Sequence, residues 1–121
     1  MEQAKLSESE YRLMNIIWED NPISSAQLAQ ICEDRFKWKK PTVYTMLKRM
    51  ETKGYLVYEN KMVTALVERE KVNKSEGEIF LDKVYGGSLP NFIAAFLKNQ
   101  KLSKEDVRQI REMIEEAEDE K

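Results

Sequence analysis

An apolar residue, then a serine, then a glutamate, glutamine or aspartate three positions on: this short pattern recurs along the chain and limits it to short, well-started helices. In Leu6-Ser7-Glu8-Ser9-Glu10-Tyr11, Ser7 caps the first free N–H groups and Glu10 reaches back, while Leu6 and Tyr11 hold the two hydrophobic-staple positions. Ile23-Ser24-Ser25-Ala26-Gln27-Leu28 repeats the arrangement, and Leu102-Ser103 with Asp106 and Val107 does so again near the end. Ser75-Glu76-Gly77-Glu78 reads as one more such box, and Ser88 as the cap of a helix from Leu89 to Lys98.

The segments between these starts have helical periodicity. Met14, Ile17 and Trp18 extend the first apolar stripe until Asp20-Asn21-Pro22 ends it, because proline disfavours helical geometry in the residue before it. Leu28, Ile31 and Cys32 form the inner face of the second helix. The stretch from Glu33 to Lys40 is polar and basic and reads as a loop anchored by Phe36 and Trp38. A third helix starts at Pro41, which suits a first turn, and stops at Gly54. Tyr55-Leu56-Val57-Tyr58 and Met62 to Val67 are β-branched and aromatic runs joined by Glu59-Asn60-Lys61, which spells a hairpin. Three short helices followed by a hairpin is the order of a winged helix-turn-helix. The expected fold is mainly α with a small β-hairpin wing, as residues 1–72, followed by a C-terminal helical dimerisation segment, residues 73–121.

The third helix carries the chemistry. At about 100° per residue, Val43, Met46, Leu47 and Met50 share one face. Pro41, Tyr44, Thr45, Lys48 and Arg49 fall on the other, with Thr42 at the border. Hydroxyls and cations on the outer side of an amphipathic helix suit a major-groove reader, since cations meet phosphates or guanine edges and short side chains permit close approach. Tyr44, on the same face, fits base contact and solvent exposure equally and counts among the candidate DNA-binding residues. The formal net charge of −2 conceals the supporting electrostatics. From Arg35 to Lys61 there are eight bases against two acids, a local charge of +6, whereas Asn73 to Lys121 has eight bases and eleven acids, or −3. A basic middle with an acidic tail is the footprint of a local DNA-binding surface.

Composition excludes most enzymes. The chain has no histidine, the commonest general base and zinc ligand, and its single cysteine cannot build a thiolate cluster. No phosphate-binding or nucleophile-elbow glycine motif occurs among four glycines, and the carboxylates show no paired-acid pattern. No catalytic residue, metal site or cofactor is expected. Cys32 rules out an internal disulfide, fits a reducing cytosol, and sits on an apolar face as core packing rather than a redox sensor. The opening MEQAKLSESEY lacks a signal-peptide core, and no apolar run approaches the roughly 18 residues that cross a bilayer. The expected location is cytoplasmic, with no membrane partner.

Beyond Val72 the problem is excess apolar surface. Phe80 and Val84 lead to Gly86-Gly87; Phe92, Ile93, Phe96 and Leu97 leave the next helix almost no polar face; Val107, Ile110 and Ile114 stripe the last. A tail of about fifty residues with a helix apolar nearly all round cannot hide that surface alone. Burial against the same segment of a second chain is the economical solution and also suits a palindromic operator. The alternative is a tail folded back on its own winged helix.

The run Trp38-x-x-x-Thr42-Val43-x-Thr45-Met46-Leu47-x-Arg49-Met50-x-x-Lys53-Gly54 resembles the penicillinase-repressor family, the BlaI, MecI and CopY type. So do Leu6-Ser7-x-x-Glu10-x-x-x-Met14-x-x-x-Trp18 and Phe80-Leu81-x-x-Val84-Tyr85-Gly86-Gly87-Ser88-Leu89, with Phe96-Leu97, Leu102-Ser103 and Glu105 after them. The resemblance implies a dimeric repressor on a palindromic double-stranded operator, silencing antibiotic-resistance or efflux genes. It places Thr42, Thr45, Lys48 and Arg49 on DNA, with Lys39, Lys40 and Lys61 as phosphate partners. Copper-responsive members carry a C-terminal C-x-C…C-x-C site, and no cysteine follows Cys32 here, so copper sensing of that kind is not expected. The β-lactam-responsive members are cut at an Asn-Phe bond. Here the aligned pair is Ala95-Phe96, and Asn91-Phe92 lies one turn earlier, which leaves a sensor protease open as a partner. The wing has Asn60-Lys61 where the family usually has glycine. Two other readings compete: a ligand-responsive winged-helix regulator of another type, and a winged-helix protein-interaction module that does not bind DNA. The second predicts an outer face on the third helix that is apolar or mixed in charge.

Overall fold

A computed structural model describes residues 6–118. The first five residues, part of the polar opening noted above, and the last three of the charged end lie outside them. Helix α1 (Glu8–Glu19) starts with its box closed in both directions: Glu10 N–H donates to Ser7 Oγ at 3.2 Å, and Ser7 N–H donates to Glu10 Oε1 at 2.9 Å. After the proline break comes β1 (Ile23–Ser24), a strand of two residues, too short to show alternation in sequence. Ser24 Oγ then caps α2 (Ser25–Phe36) by accepting from Gln27 N–H at 3.1 Å, while the Gln27 amide turns to Asp20.

Helix α2 runs four residues past its expected end. Glu33 to Phe36 are helical rather than loop, because Phe36 packs on the core and Lys37 closes the helix. Lys37 adopts a left-handed conformation (φ 62°), and its N–H donates to Glu33 O. Only Lys37–Lys39 separate α2 from α3 (Lys40–Thr52). Phe36 and Trp38 anchor this stretch as expected, with ring centroids 4.7 Å apart. Gly54 takes φ +88°, which lets Tyr55 N–H return to Met50 O and ends α3.

The hairpin joins β2 (Leu56–Glu59) to β3 (Met62–Ala65) through Asn60 and Lys61, both at positive φ. Two central residues of that hand match the twist of the flanking strands. β1 pairs antiparallel with the other edge of β3, Ile23 opposite Val63 and Ser24 opposite Met62, giving strand order β1-β3-β2. The architecture is mainly helical, a winged helix-turn-helix followed by helices.

Helix α4 (Arg69–Tyr85) corrects the reading of Ser75-Glu76-Gly77-Glu78 as a helix start, since those residues lie inside it. Its first turn is secured by tertiary contacts. Arg69 Nη2 donates to Asn15 O at 3.1 Å and the guanidinium lies over the Trp18 ring at 5.5 Å; Trp18 Nε1 in turn donates to Val67 O. The boundary expected after Val72 therefore falls within a continuous helix. α5 (Leu89–Leu97) and α6 (Lys104–Ala117) start where their serine caps lie, with Ser88 Oγ accepting from Asn91 N–H and Ser103 Oγ from Asp106 N–H.

The chain divides into two compact units, the first ending at Gly77 and the second beginning at Glu78. In the first, Leu13, Met14 and Ile17 of α1, Leu28 and Cys32 of α2, Val43, Leu47 and Met50 of α3, and Ile23, Leu56 and Val63 of the sheet form one core. Burial pushes the Cys32 thiol up to about 11, against the opposing charge of Arg35, which suits inert packing. Among the described residues of the second unit none is buried.

Candidate nucleic-acid interface

Helix α3 divides cleanly. Val43, Met46, Leu47 and Met50 are buried, and Pro41, Thr42, Thr45, Lys48 and Arg49 are exposed. Thr42, Thr45 and Arg49 meet around one shallow depression with Ser9, Pro41 and Met46. Lys39 and Lys40 are exposed at the start of the helix, where Lys39 occupies the N-cap position and makes no side-chain cap. Cations beside the positive end of a helix dipole are locally unfavourable, and a phosphate at that end would reverse the sign.

Tyr44 does not share the exposure of its neighbours. It is half-buried and stacks on Tyr58 of β2 with centroids 6.3 Å apart and planes 28° from parallel. Glu51 Oε2 accepts from Tyr58 N–H at 3.0 Å, so α3 grips the wing strand at two points along its length. Lys61 is exposed at the wing turn, and its carbonyl accepts from Ser25 N–H at 2.9 Å, tying the turn to the start of α2.

Motif reading gives Glu10 as the partner of Ser7 but misses its second role, toward α3. It is 2 % exposed, and its carboxylate accepts from Arg49 Nε at 3.0 Å, from Lys53 Nζ at 2.9 and 3.1 Å, and from Ser7 N–H at 2.9 Å. Burial alone raises the pKa of this carboxyl. The bonds from Lys53, Ser7 and Arg49 and the Lys53 charge outweigh burial and hold it at about 2. The available signal was its register: positions 10, 13, 14 and 17 share one helical face, so a carboxylate there must enter the core. Arg49 consequently has an inner bond to α1 as well as an outer surface, with its side chain 48 % exposed.

In the second unit none of the sequence-predicted interface residues is buried. Phe80, Val84, Ile93, Phe96, Ile110 and Ile114 are all exposed; Phe92, Leu97 and Val107 are half-buried. Phe80, Tyr85, Phe92 and Phe96 make successive ring contacts with centroids 5.4 to 6.2 Å apart. The pairs Ala95-Phe96 and Asn91-Phe92 both lie inside α5, so cutting either bond requires that turn to unwind. Among the described residues no helix is long and apolar enough to cross a membrane.

Comparison with known proteins gives a consistent picture across nearly the whole chain. A family model described as penicillinase repressor matches residues 6–116. The penicillinase repressor of Bacillus licheniformis is 25 % identical over 116 residues, covering 93 % of this chain and 91 % of that protein. The methicillin resistance regulatory protein MecI of Staphylococcus aureus (strain N315) is 25 % identical over 114 residues, covering 91 % and 93 %. The penicillinase repressor of Staphylococcus aureus is 22 % identical over 116 residues, covering 93 % and 92 %.

Proposed function

We propose, from the premise that this chain belongs to the penicillinase repressor family of non-enzymatic transcriptional repressors, that it acts as a homodimer on a palindromic double-stranded operator in the cytoplasm. In this reading the first unit, which ends at Gly77 rather than at Val72, reads DNA, and the helices after it dimerise. Helix α3 lies in the major groove with Thr42, Thr45, Lys48 and Arg49 toward the bases and nearby phosphates. Lys39, Lys40 and Lys61 meet the backbone on either side of it. Tyr44, half-buried, supports the wing through its stack on Tyr58. The names of the relatives, a penicillinase repressor and a methicillin resistance regulatory protein, point to resistance-type genes as targets.

The observation that carries the reading is the division of α3 into a wholly apolar buried face and an outer face of hydroxyls and cations. A protein-interaction module has no need of such a face, and the local charge of +6 around it favours a polyanion. The second unit supports the dimer, because its helices leave large apolar side chains uncovered, a surface that marks an association site.

The test is a band shift with DNA from upstream of the chain's own operon. The expected result is a shift whose affinity falls steeply with salt, since several lysines and arginines displace phosphate counterions. Arg49 also braces Glu10, so the informative substitutions are Thr45→Ala and Lys48→Ala, which change exposed side chains only. Each is expected to weaken operator binding by about fivefold to a hundredfold. No shift at low salt, or a shift indifferent to both substitutions, rules the reading out.

A further inference from the structure

Helix α3 does not hold its own arginine in place; α1 does. Of the cations on or beside the outer face of α3, Arg49 is anchored to a carboxylate from another helix, and that carboxylate is among the most buried groups in the molecule. The anchor bond leaves through Nε. The guanidinium's terminal nitrogens, whose fork matches phosphate oxygens or a guanine edge, stand outside that bond. Arg49 also lines the depression it shares with Thr42 and Thr45. Lys53, one turn further along, is turned inward onto both oxygens of Glu10 and is only 28 % exposed.

We infer that Glu10 is a positioning residue for DNA recognition: it fixes the Arg49 guanidinium at the reading face of α3 and withholds Lys53 from indiscriminate phosphate contact. This rests on the proposed DNA-reading role of α3. The physical reason is entropy and charge together. An arginine free to sample its rotamers loses that freedom on binding, whereas one already held by Nε loses less and arrives in a defined direction. The carboxylate also cancels one of two neighbouring cations, lowering the sequence-independent attraction to phosphate while leaving the directional contact. Discrimination between operator and other DNA therefore depends on a residue that touches no DNA.

The test uses the full-length protein and compares its affinity for an operator duplex and for a scrambled duplex of equal length over a salt series. Thermal melts confirm that each variant is folded at the temperature of the assay. Glu10→Gln is expected to lower the operator-to-scrambled ratio by about tenfold. At the same time its affinity for the scrambled duplex rises and the salt slope steepens by up to about 0.9, one further phosphate contact. Glu10→Asp keeps the charge and shortens the reach, so the ratio falls while affinity for the scrambled duplex stays at the wild-type level. In an Arg49→Ala background, Glu10→Gln is expected to leave the ratio within about twofold, because the residue it positions is gone. A purely structural role predicts that both affinities fall by one common factor, or that Glu10→Gln changes the ratio equally with and without Arg49; either result overturns the inference. A wild-type protein that ignores the operator defeats the DNA reading itself, whereas wild-type binding with an unchanged ratio in Glu10→Gln defeats this inference alone.

Discussion

A carboxylate almost wholly removed from water is destabilising unless its acceptor sites are filled, and Glu10 fills them with two cations and a backbone N–H. Its pKa is held at about 2 against an ordinary 4.5. A carboxyl whose folded-state pKa is depressed adds stability above its unfolded pKa and loses it as the pH falls through the folded value. The window here runs from about 4.5 down to about 2, and the contribution at neutral pH is about 3 kcal/mol. Urea unfolding of the wild type and Glu10→Gln is therefore expected to show a gap of that order at neutral pH that narrows steadily with acid. A gap that does not change with pH assigns the interaction no electrostatic component. The sequence shows Glu10 plainly as the partner of Ser7 in a local box. The second role is hidden because Arg49 and Lys53 lie 39 and 43 residues away, and only the folded helix pair brings them to the same carboxylate.

Among the elements, those whose chemistry is local are legible in the sequence. Ser7, Ser24, Ser88 and Ser103 each cap the helix expected of them, and Gly54 and Gly86-Gly87 lie where helices end. The errors lie where a distant partner decides. Arg69 on Asn15 and Trp18 starts α4 six residues before Ser75, and β1 exists only because β3 lies beside it. The wing turn shows both influences. Asn60 at φ 52° is tolerable, but Lys61 at φ 63° places a side chain with a Cβ in the left-handed region, at about 1 kcal/mol. Lys61→Gly is accordingly expected to raise the unfolding free energy by about 1 kcal/mol in urea denaturation. If Lys61 meets a phosphate, the same substitution lowers the salt slope of operator binding by about 0.9. The two effects have opposite signs, so a variant both more stable and unaltered in salt dependence removes Lys61 from the interface while leaving the strain argument intact.

At the scale of the molecule, the two units differ in how they satisfy the hydrophobic effect. Every buried apolar residue among those described lies between Leu6 and Val72, so the first unit has a complete core. Among its described residues the second buries none, with Phe96 at 51 % and Ile114 at 64 % exposure. The sequence signals this surplus through the all-apolar stretch Phe92 to Leu97. A chain truncated after Gly77 keeps the whole core of the first unit, including Val72 and the Arg69 contacts that secure the start of α4. It is therefore expected to fold with a cooperative melt, to sediment as a monomer and, on the proposed DNA-reading role of α3, to bind a half-site. What it loses is linkage. Two half-sites engaged by one dimer make the second contact intramolecular, and removing that advantage reduces apparent operator affinity by about 10² to 10⁴ without altering a single DNA contact. Sedimentation and a titration on whole and half operators separate the contributions. A truncated chain that remains dimeric places the interface in the first unit, and one that is monomeric yet binds the whole operator at full strength shows that repression does not depend on pairing at all.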